Sequence, residues 1–317
     1  MRTITALFVG LGSIGTRHLK NLANLCADRG WTLQADALRS DLTRPLRPGA
    51  AELLHAQYTD LAAAPAHYDM VFITNPTSLH AEALRQVKGR GEALFIEKPI
   101  FSAEQTGLAL DELLPAGQKA YVAAPMRWCG AMLALKDRLP ALHPYCARVI
   151  CSSYLPDWRP GVDYRTVYSA RKALGGGVTI DLIHEWDYLV ELFGVPEKLY
   201  NFKGTYSELE IDSDDLSVYI AKYPTLLAEV HLDYFGRGYR RSIELFCRDG
   251  SYLADFGKGT LTLPDGTVQH YEVDVNRRYE REMEYFVDYA LTGCGESCNP
   301  PALALKVLKL TLGENVQ

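Results

Sequence analysis

The chain has no apolar run of the roughly 20 residues that a membrane-crossing helix requires, no low-complexity tract, no internal repeat and no C-x-x-C pair. These absences exclude a helical membrane anchor, a repeat architecture and the common thiol-redox and zinc motifs. Positive charge is also scarce: 33 Lys and Arg stand against 39 Asp and Glu, a formal net charge of -6. That balance argues against a general attraction to nucleic acid or to anionic membranes, so an anionic ligand must be held locally. In the opening MRTITALFVGLGSIG, glycines break the apolar run and Arg17 and His18 follow. No secretory leader is expected, and the protein is expected to be soluble and cytoplasmic. Seven cysteines (Cys26, Cys129, Cys146, Cys151, Cys247, Cys294 and Cys298) form an odd set, which favours buried free thiols over a disulfide framework. Cys294 and Cys298 come nearest to a ligand pair, yet no His or Cys at zinc-ligand spacing lies nearby, and no metal site is expected.

What is present is a change of character along the chain. At 317 residues two domains are expected. From residue 3 to about 122, short apolar runs (TALFVG, LQADALRS, MVFITN, ALFIEKP, AYVAAP) alternate with helical stretches (TRHLKNLANLCADRG, SLHAEALRQVKGRG, AEQTGLALDELLPA). This pattern predicts a Rossmann-type α/β domain over 1–122, a doubly wound parallel sheet covered on both faces. After MRWCGAMLALKDRL, strands rich in Val, Ile, Tyr and Phe are predicted at 147–156, 198–207, 214–223, 226–236, 241–248 and 251–256, with one helix at 178–194. Short connections imply a mostly antiparallel, open sheet, so 123–317 reads as an α+β domain for substrate binding and oligomerisation. A helix at 301–312 has the option of returning to the first domain. The uncovered sheet face predicts a homodimer or a higher homo-oligomer.

Three glycines, Gly10, Gly12 and Gly15, punctuate the bend between the first predicted strand and helix. In such a unit the first glycine permits the turn, the second lets the backbone approach a pyrophosphate and the third brings the helix close to the strand. The helix N-terminus then offers free N–H groups to the phosphates. Gly10, Gly12, Ser13, Ile14 and Gly15 are therefore expected to bind a dinucleotide. The second strand, LQADALRS, bears on which one. It carries Asp36 in its middle and ends at Arg39-Ser40. Mid-strand placement aims Asp36 short of a ribose 2′-hydroxyl, which favours NADP with Arg39 and Ser40 on the 2′-phosphate. NAD bound through Asp36 stays open.

With EKPI at 97–100 after the strand ALFI, the chain resembles the glucose-fructose oxidoreductase / inositol dehydrogenase (Gfo/Idh/MocA) family of two-domain sugar oxidoreductases. The resemblance runs over nearly the whole length: the glycine turn, TNPTSLH at 74–80, EKP, MRW at 126–128 and GGGVTIDLIHEWD at 175–187. It implies that Thr74, Asn75, Pro76 and His80 lie beside the nicotinamide. It also implies that Glu97 and Lys98 stand at the cofactor, with Lys98 catalytic and followed by a proline that is often cis, and that Arg127 and the segment around Asp181 and His184 face the substrate. The family usually spaces its Asp and His four residues apart. Here Asp181 and His184 are three apart, and Glu185 takes the fourth position.

Helical periodicity puts Asp181, His184, Glu185, Asp187, Tyr188 and Glu191 on one arc and Leu182, Ile183, Trp186, Leu189, Val190 and Phe193 on the other. The polar arc reads either as a site face or as a solvated one. Oxidising a sugar hydroxyl needs a base for the O–H proton while hydride leaves the same carbon, and histidine suits that task. His184 is expected in this role, with Lys98 stabilising charge on the reacting oxygen and Asp181 orienting either of them. The preceding stretch 154–177 mixes Trp158 and Tyr168 with Arg159, Arg165, Arg171 and Lys172. Rings stack on sugar faces and arginines fork carboxylate or phosphate, so Trp158, Arg165, Tyr168, Arg171 and Lys172 are expected to bind substrate, or else form an ordinary basic loop. With HEWDYL after it the stretch is similar to members of the family in surface-polysaccharide or sialic-acid-like sugar pathways, and that resemblance implies a nucleotide-linked or acidic sugar. A non-catalytic dinucleotide sensor and a redox-assisted glycoside-cleaving enzyme of the same family are the competing functions.

Overall fold

The computed structural model describes residues 2–293 and 295–316; Cys294, one of the two thiols weighed as a pair, lies outside them. The chain divides into two compact units. One gathers the chain through Ala123 together with Tyr279–Leu305, the other Ala124–Arg278 together with the chain from Lys306 onward. The first unit thus takes in a late segment that the sequence assigned to the second domain. Among the described residues no helix is long and apolar enough to cross a membrane.

In the first unit, strands β1 (Thr3–Val9), β2 (Thr32–Leu38), β3 (Leu54–Tyr58), β4 (Tyr68–Ile73), β5 (Gly91–Ile96) and β6 (Lys119–Val122) form a six-stranded sheet in the order β3-β2-β1-β4-β5-β6. Every pairing is parallel, and the order reverses between β1 and β4, as in doubly wound dinucleotide folds. Helices α1 (Ser13–Asp28), α2 (His80–Gln86) and the single turn α3 (Leu110–Leu113) lie between strands. The helix expected over AEQTGLALDELLPA shrinks to α3 and a 3-10 turn at Ala103–Gln105, in keeping with the poor helix propensity of Gly107 between them. β3 is an addition to the expected strands. It is an edge strand with no fully buried residue, so it lacks the apolar run that marks its neighbours. Register partners Phe8, Phe72, Phe95 and Tyr121 set an aromatic row across β1, β4, β5 and β6, with Phe8 and Phe72 stacked at 4.5 Å.

The second unit contains α4 (Gly130–Arg138), β7 (Cys146–Tyr154), α5 (Val178–Asp181), α6 (His184–Phe193), β8 (Lys198–Gly204), β9 (Leu216–Lys222), β10 (Leu227–Asp233), β11 (Phe235–Cys247), β12 (Gly250–Asp255), β13 (Thr260–Thr262) and β14 (Val268–His270). Its eight-stranded sheet runs β14-β13-β12-β11-β7-β10-β9-β8. Only the β7–β10 pair is parallel. Trp186 and Tyr188 of α6 meet Tyr219 and Phe256 edge-on or tilted at 5.1 and 5.4 Å. Because side chains alternate along a strand, Tyr219 is buried while its neighbour Ile220 is exposed, as are Tyr200 and Phe202 on β8. The helix expected over 178–194 is in fact two, α5 and α6, parted at Leu182–Ile183. Its polar arc is not solvated: Glu185, Asp187 and Tyr188 are buried.

Two helices close the chain, α7 (Val275–Thr292) and α8 (Pro301–Thr311). α7 is a further addition, although Met283, Phe286, Val287 and Ala290 recur at helical spacing and are buried. Its Phe286 packs edge-on against Phe72 and Phe95, and Tyr121 donates its hydroxyl to Glu282 at 2.8 Å. Of α8, residues 301–305 count with the first unit and the remainder with the second.

Candidate dinucleotide site and catalytic residues

The glycine turn is built by the chain that approaches it. Gly10 has φ +84°, a left-handed conformation, and a Cβ there would lie 2.7 Å from Asn75 Cα. A Cβ on Gly15 would lie 2.7 Å from Thr74 Oγ1. Thr74 Oγ1 in turn donates to Gly10 O at 2.5 Å, and Thr74 N donates to Val9 O at 3.0 Å. Two of the three glycines are thus imposed by the β4 loop. Gly12 is different: nothing lies within 4 Å of its Cβ position, it is exposed, and as N-cap of α1 it supplies no capping side chain. The first N–H groups of a helix have no intrahelical acceptor, and Thr16 is the first here to reach back, to Gly12 O at 3.0 Å. An open glycine, uncapped N–H groups at Ser13 and Ile14, and the buried, unpartnered Asn75 Oδ1 fit a dinucleotide that brings phosphate oxygens to the turn and a donor to Asn75.

Two further loops are tied to this turn within the same unit. Pro76 opens the turn Thr77–Leu79 that leads into α2. His80, buried at the start of α2, lies 3.1 Å from Ile100 O through Nδ1 and 3.1 Å from Asn75 O through Nε2, so one ring bridges the β4 and β5 loops. Burial pushes its imidazole below the ordinary range, against the pull of those carbonyls. At the end of β5 the Lys98–Pro99 bond is cis. Glu97 is buried, with Oε1 2.6 Å from His18 Nε2 and Oε2 accepting the Lys98 N–H at 3.0 Å. Burial works to raise the Glu97 carboxyl, but the His18 hydrogen bond and the adjacent His18 and Lys98 charges outweigh it and hold the group below its ordinary value.

Within β2, Asp36 is buried and accepts the Tyr68 hydroxyl at 2.8 Å, with His55 Nδ1 at 3.3 Å. Arg39 donates to Gln57 Oε1 and to the Arg44 carbonyl, and Ser40 beside it is exposed. Arg39, Arg44 and Arg47 together line a cavity of about 430 Å³, with Glu52 the one acid among its walls.

In the second unit the glycine run before α5 is again imposed by close neighbours. A Cβ on Gly176 would meet Tyr168 O at 2.0 Å, and one on Gly177, at φ +132°, would meet Asp214 Oδ1 at 2.3 Å. This clamps Tyr168 to the start of α5. Asp181, at the end of α5, accepts the Tyr168 hydroxyl at 2.6 Å and the Tyr234 hydroxyl at 2.5 Å, one on each oxygen. Burial, and after it the Asp181 charge, pushes the Tyr234 phenol well above its ordinary range, so it stays a donor. His184 follows as the first residue of α6 and is half-buried. Trp158 stands edge-on to Tyr234 at 5.2 Å and donates to Ser153 Oγ. The structure therefore brings Trp158, Tyr168 and Asp181 together around Tyr234.

Other predicted residues have different neighbours. Arg127, expected to face substrate, is 3 % exposed; its guanidinium forks onto Asp187 at 2.8 and 2.9 Å and reaches Glu191 at 2.5 Å. Lys136 also pairs with Glu191. Arg127 thus anchors α6 from behind. Glu185, in the position where the family usually has its histidine, is fully buried and takes two hydrogen bonds from Arg241. Arg165 is held by Asp163 and Glu210, and Arg171 lies 4.0 Å from Asp212, whose carboxylate also accepts the Lys172 N–H. The cations of this loop are partly neutralised by Asp163 within it and by Glu210 and Asp212 from the β8–β9 connection. Tyr234, Arg241 and the pairing of His18 were not legible in the sequence. Only His18 left a signal, a histidine on the apolar face of α1 among Gly15, Leu19 and Leu22.

A parallel sheet in this order, with an open glycine turn at its point of reversal, is the fold of a dinucleotide-binding Rossmann domain, and the second unit is built on a mostly antiparallel sheet. Residues 4–123 match the oxidoreductase family with NAD-binding Rossmann fold, Gfo/Idh/MocA. The chain is 24 % identical over 272 residues to the uncharacterized oxidoreductase YrbE of Bacillus subtilis (strain 168), covering 82 % of this chain and 76 % of that protein. It is 26 % identical over 200 residues to inositol 2-dehydrogenase of Rhizobium meliloti (strain 1021), covering 61 % of this chain but only 56 % of that one. Among solved structures, levoglucosan dehydrogenase in complex with NADH and levoglucosan shares the fold at a TM-score of 0.81 and 16 % identity, over 98 % of this chain and 96 % of that one.

Proposed function

We propose that the protein moves a hydride between NADP and a hydroxyl-bearing carbon of a sugar or cyclic polyol, in the cytoplasm. The observation that carries this reading is the glycine turn. Thr74 and Asn75 press on Gly10 and Gly15 while Gly12 stays open, and the family match covers the same residues. The names of the inositol and levoglucosan dehydrogenases similar to the chain support a polyol or sugar as substrate. When bound, the nicotinamide accepts or donates the hydride. Gly12, Ser13 and Ile14 hold the phosphates through backbone N–H groups, and Thr74, Asn75, Pro76 and His80 form the wall beside the turn. Arg39, Ser40, Arg44 and Arg47 would take the 2′-phosphate, because three guanidinium groups around one cavity outweigh its single acid. Asp36, engaged by Tyr68, is not assigned a ribose.

His184 takes the hydroxyl proton in oxidation and returns it in reduction, a task to which an imidazole is suited. Lys98 hydrogen-bonds the reacting oxygen and stabilises its negative charge. Asp181 acts through Tyr168, fixing that ring for a sugar face, with Trp158 beside it. Exposed Tyr200, Phe202 and Ile220 on the open sheet support a homodimer or higher homo-oligomer through that face, and a stable monomer on dilution in sedimentation would refute this. The function is tested by following nicotinamide absorbance with purified protein, NADP or NAD, and a panel of neutral polyols, sugar acids and nucleotide-linked sugars. Turnover with at least one of them, at a rate lowered in His184→Gln, is expected; no absorbance change with any would refute the reading.

A further inference from the structure

We propose that His18 is a positioning residue for Lys98. Its Nε2–H holds the Glu97 carboxylate, whose second oxygen holds the Lys98 N–H, so that the helix leading from the glycine turn also fixes where the lysine stands. The inference rests on Lys98 acting in hydride transfer, as read above, and all three residues belong to the first unit. His18 is completely buried on α1, and Glu97 is 7 % exposed at the end of β5. An ionised carboxylate can only accept, so the 2.6 Å contact places the hydrogen on His18 Nε2. The other oxygen of Glu97 receives Lys98 N at 3.0 Å, and Glu97 N is itself tied to Ile73 O at 2.9 Å. His18 Nδ1 is buried without a partner among the described residues, its ring set against Phe95 at 4.7 Å and Tyr279 at 5.9 Å.

A residue kept there for shape alone would be leucine or phenylalanine, which bury neither an unpaired ring nitrogen nor a carboxylate opposite it. The polar pair instead reaches one further group, the Lys98 backbone. Glycine turn and lysine are thereby linked through the backbone of α1, the His18–Glu97 side-chain pair and the Lys98 amide, Gly15 standing three residues before His18 on the same helix.

The direct test is hydrogen exchange of the Lys98 amide in the free protein, compared among wild type, His18→Leu, His18→Phe and His18→Gln. Glutamine can still donate to Glu97; leucine and phenylalanine cannot. Exchange at Lys98 is expected to rise about tenfold or more in the leucine and phenylalanine variants, with β1 and β4 amides unchanged, and to return toward wild type in His18→Gln. If one apolar variant fails to fold, the other carries the measurement. In turnover, kcat is expected to fall about tenfold in the apolar variants while the dinucleotide Kd moves less than about threefold, with recovery in His18→Gln. Equal Lys98 exchange in wild type and the apolar variants, or an equal loss of kcat in all three variants, would overturn the proposal. Should wild type transfer no hydride to any polyol, the functional reading fails by itself, and the exchange data still decide whether the tie exists.

Discussion

Around the glycine turn of the first unit the polar groups that matter belong to the backbone, whereas along α6 of the second unit they belong to side chains far apart in sequence. Gly10 O and Val9 O are satisfied by Thr74, and the first turn of α1 is left uncapped. Glu185, Asp187 and Glu191 of α6 are instead met by Arg241 and Arg127, 56 to 64 residues away. Backbone donors carry no net charge and leave a cradle open for an anion. Buried ion pairs close on themselves and turn a polar helix face into part of the core. The contrast separates a surface made for a ligand from one made to hold a helix in place.

Replacing Gly10 with valine should break the first arrangement outright. The side chain would meet Asn75 in a left-handed backbone, and dinucleotide affinity is expected to fall more than about a hundredfold with a lowered melting temperature, read by NADPH fluorescence titration and thermal unfolding. Arg127→Met attacks the second. Leaving Asp187 and Glu191 without their guanidinium should destabilise the protein by about 3–5 kcal/mol in urea unfolding, with dinucleotide affinity unaffected. Loss of affinity comparable to that of Gly10→Val would erase the distinction. Arg39→Ala sharpens it at the cofactor: about a tenfold weaker grip on NADPH and little change for NADH are expected, and equal losses for both would point to NAD.

The smallest effect concerns acid stability. The Glu97 carboxyl is held below its ordinary value in the folded protein, so the stability it contributes is complete above the unfolded value of about 4.3 and is lost as pH falls through the folded value. Unfolding followed from about pH 6 to about pH 3 should therefore show a shallower decline in Glu97→Gln than in wild type. A steeper one would contradict the assigned sign.

Local demands were the ones legible in the sequence. Gly10, Gly12 and Gly15 between an apolar run and an amphipathic stretch announce their turn because backbone conformation and close approach are written in the residues themselves. The parallel sheet and most strands of the second sheet follow from apolar runs and their spacing. The neighbours of α6 were not legible: periodicity gives a polar arc at Asp181, Glu185, Asp187 and Glu191, but whether water or arginine meets it depends on Arg127 and Arg241, which no local pattern links to it. The break at Leu182–Ile183 is likewise invisible, because no glycine or proline marks it between Val178 and Phe193. β3 and α7 escaped for opposite reasons. One is an edge strand without an apolar run, and the other is a long, charge-rich helix whose buried stripe of Met283, Phe286 and Val287 is diluted by its acids and arginines.

The central claim is that Lys98 acts on the reacting oxygen while the glycine turn holds the dinucleotide. It is tested most directly by comparing wild type with Lys98→Met in NADPH binding and in single-turnover hydride transfer with the best substrate of the sugar panel. The account predicts dinucleotide affinity within about threefold and a hydride-transfer rate lower by about 10²–10³ in Lys98→Met. Equal transfer rates in the two proteins would contradict it, as would tight dinucleotide binding by both with no transfer to any sugar, the behaviour of a sensor.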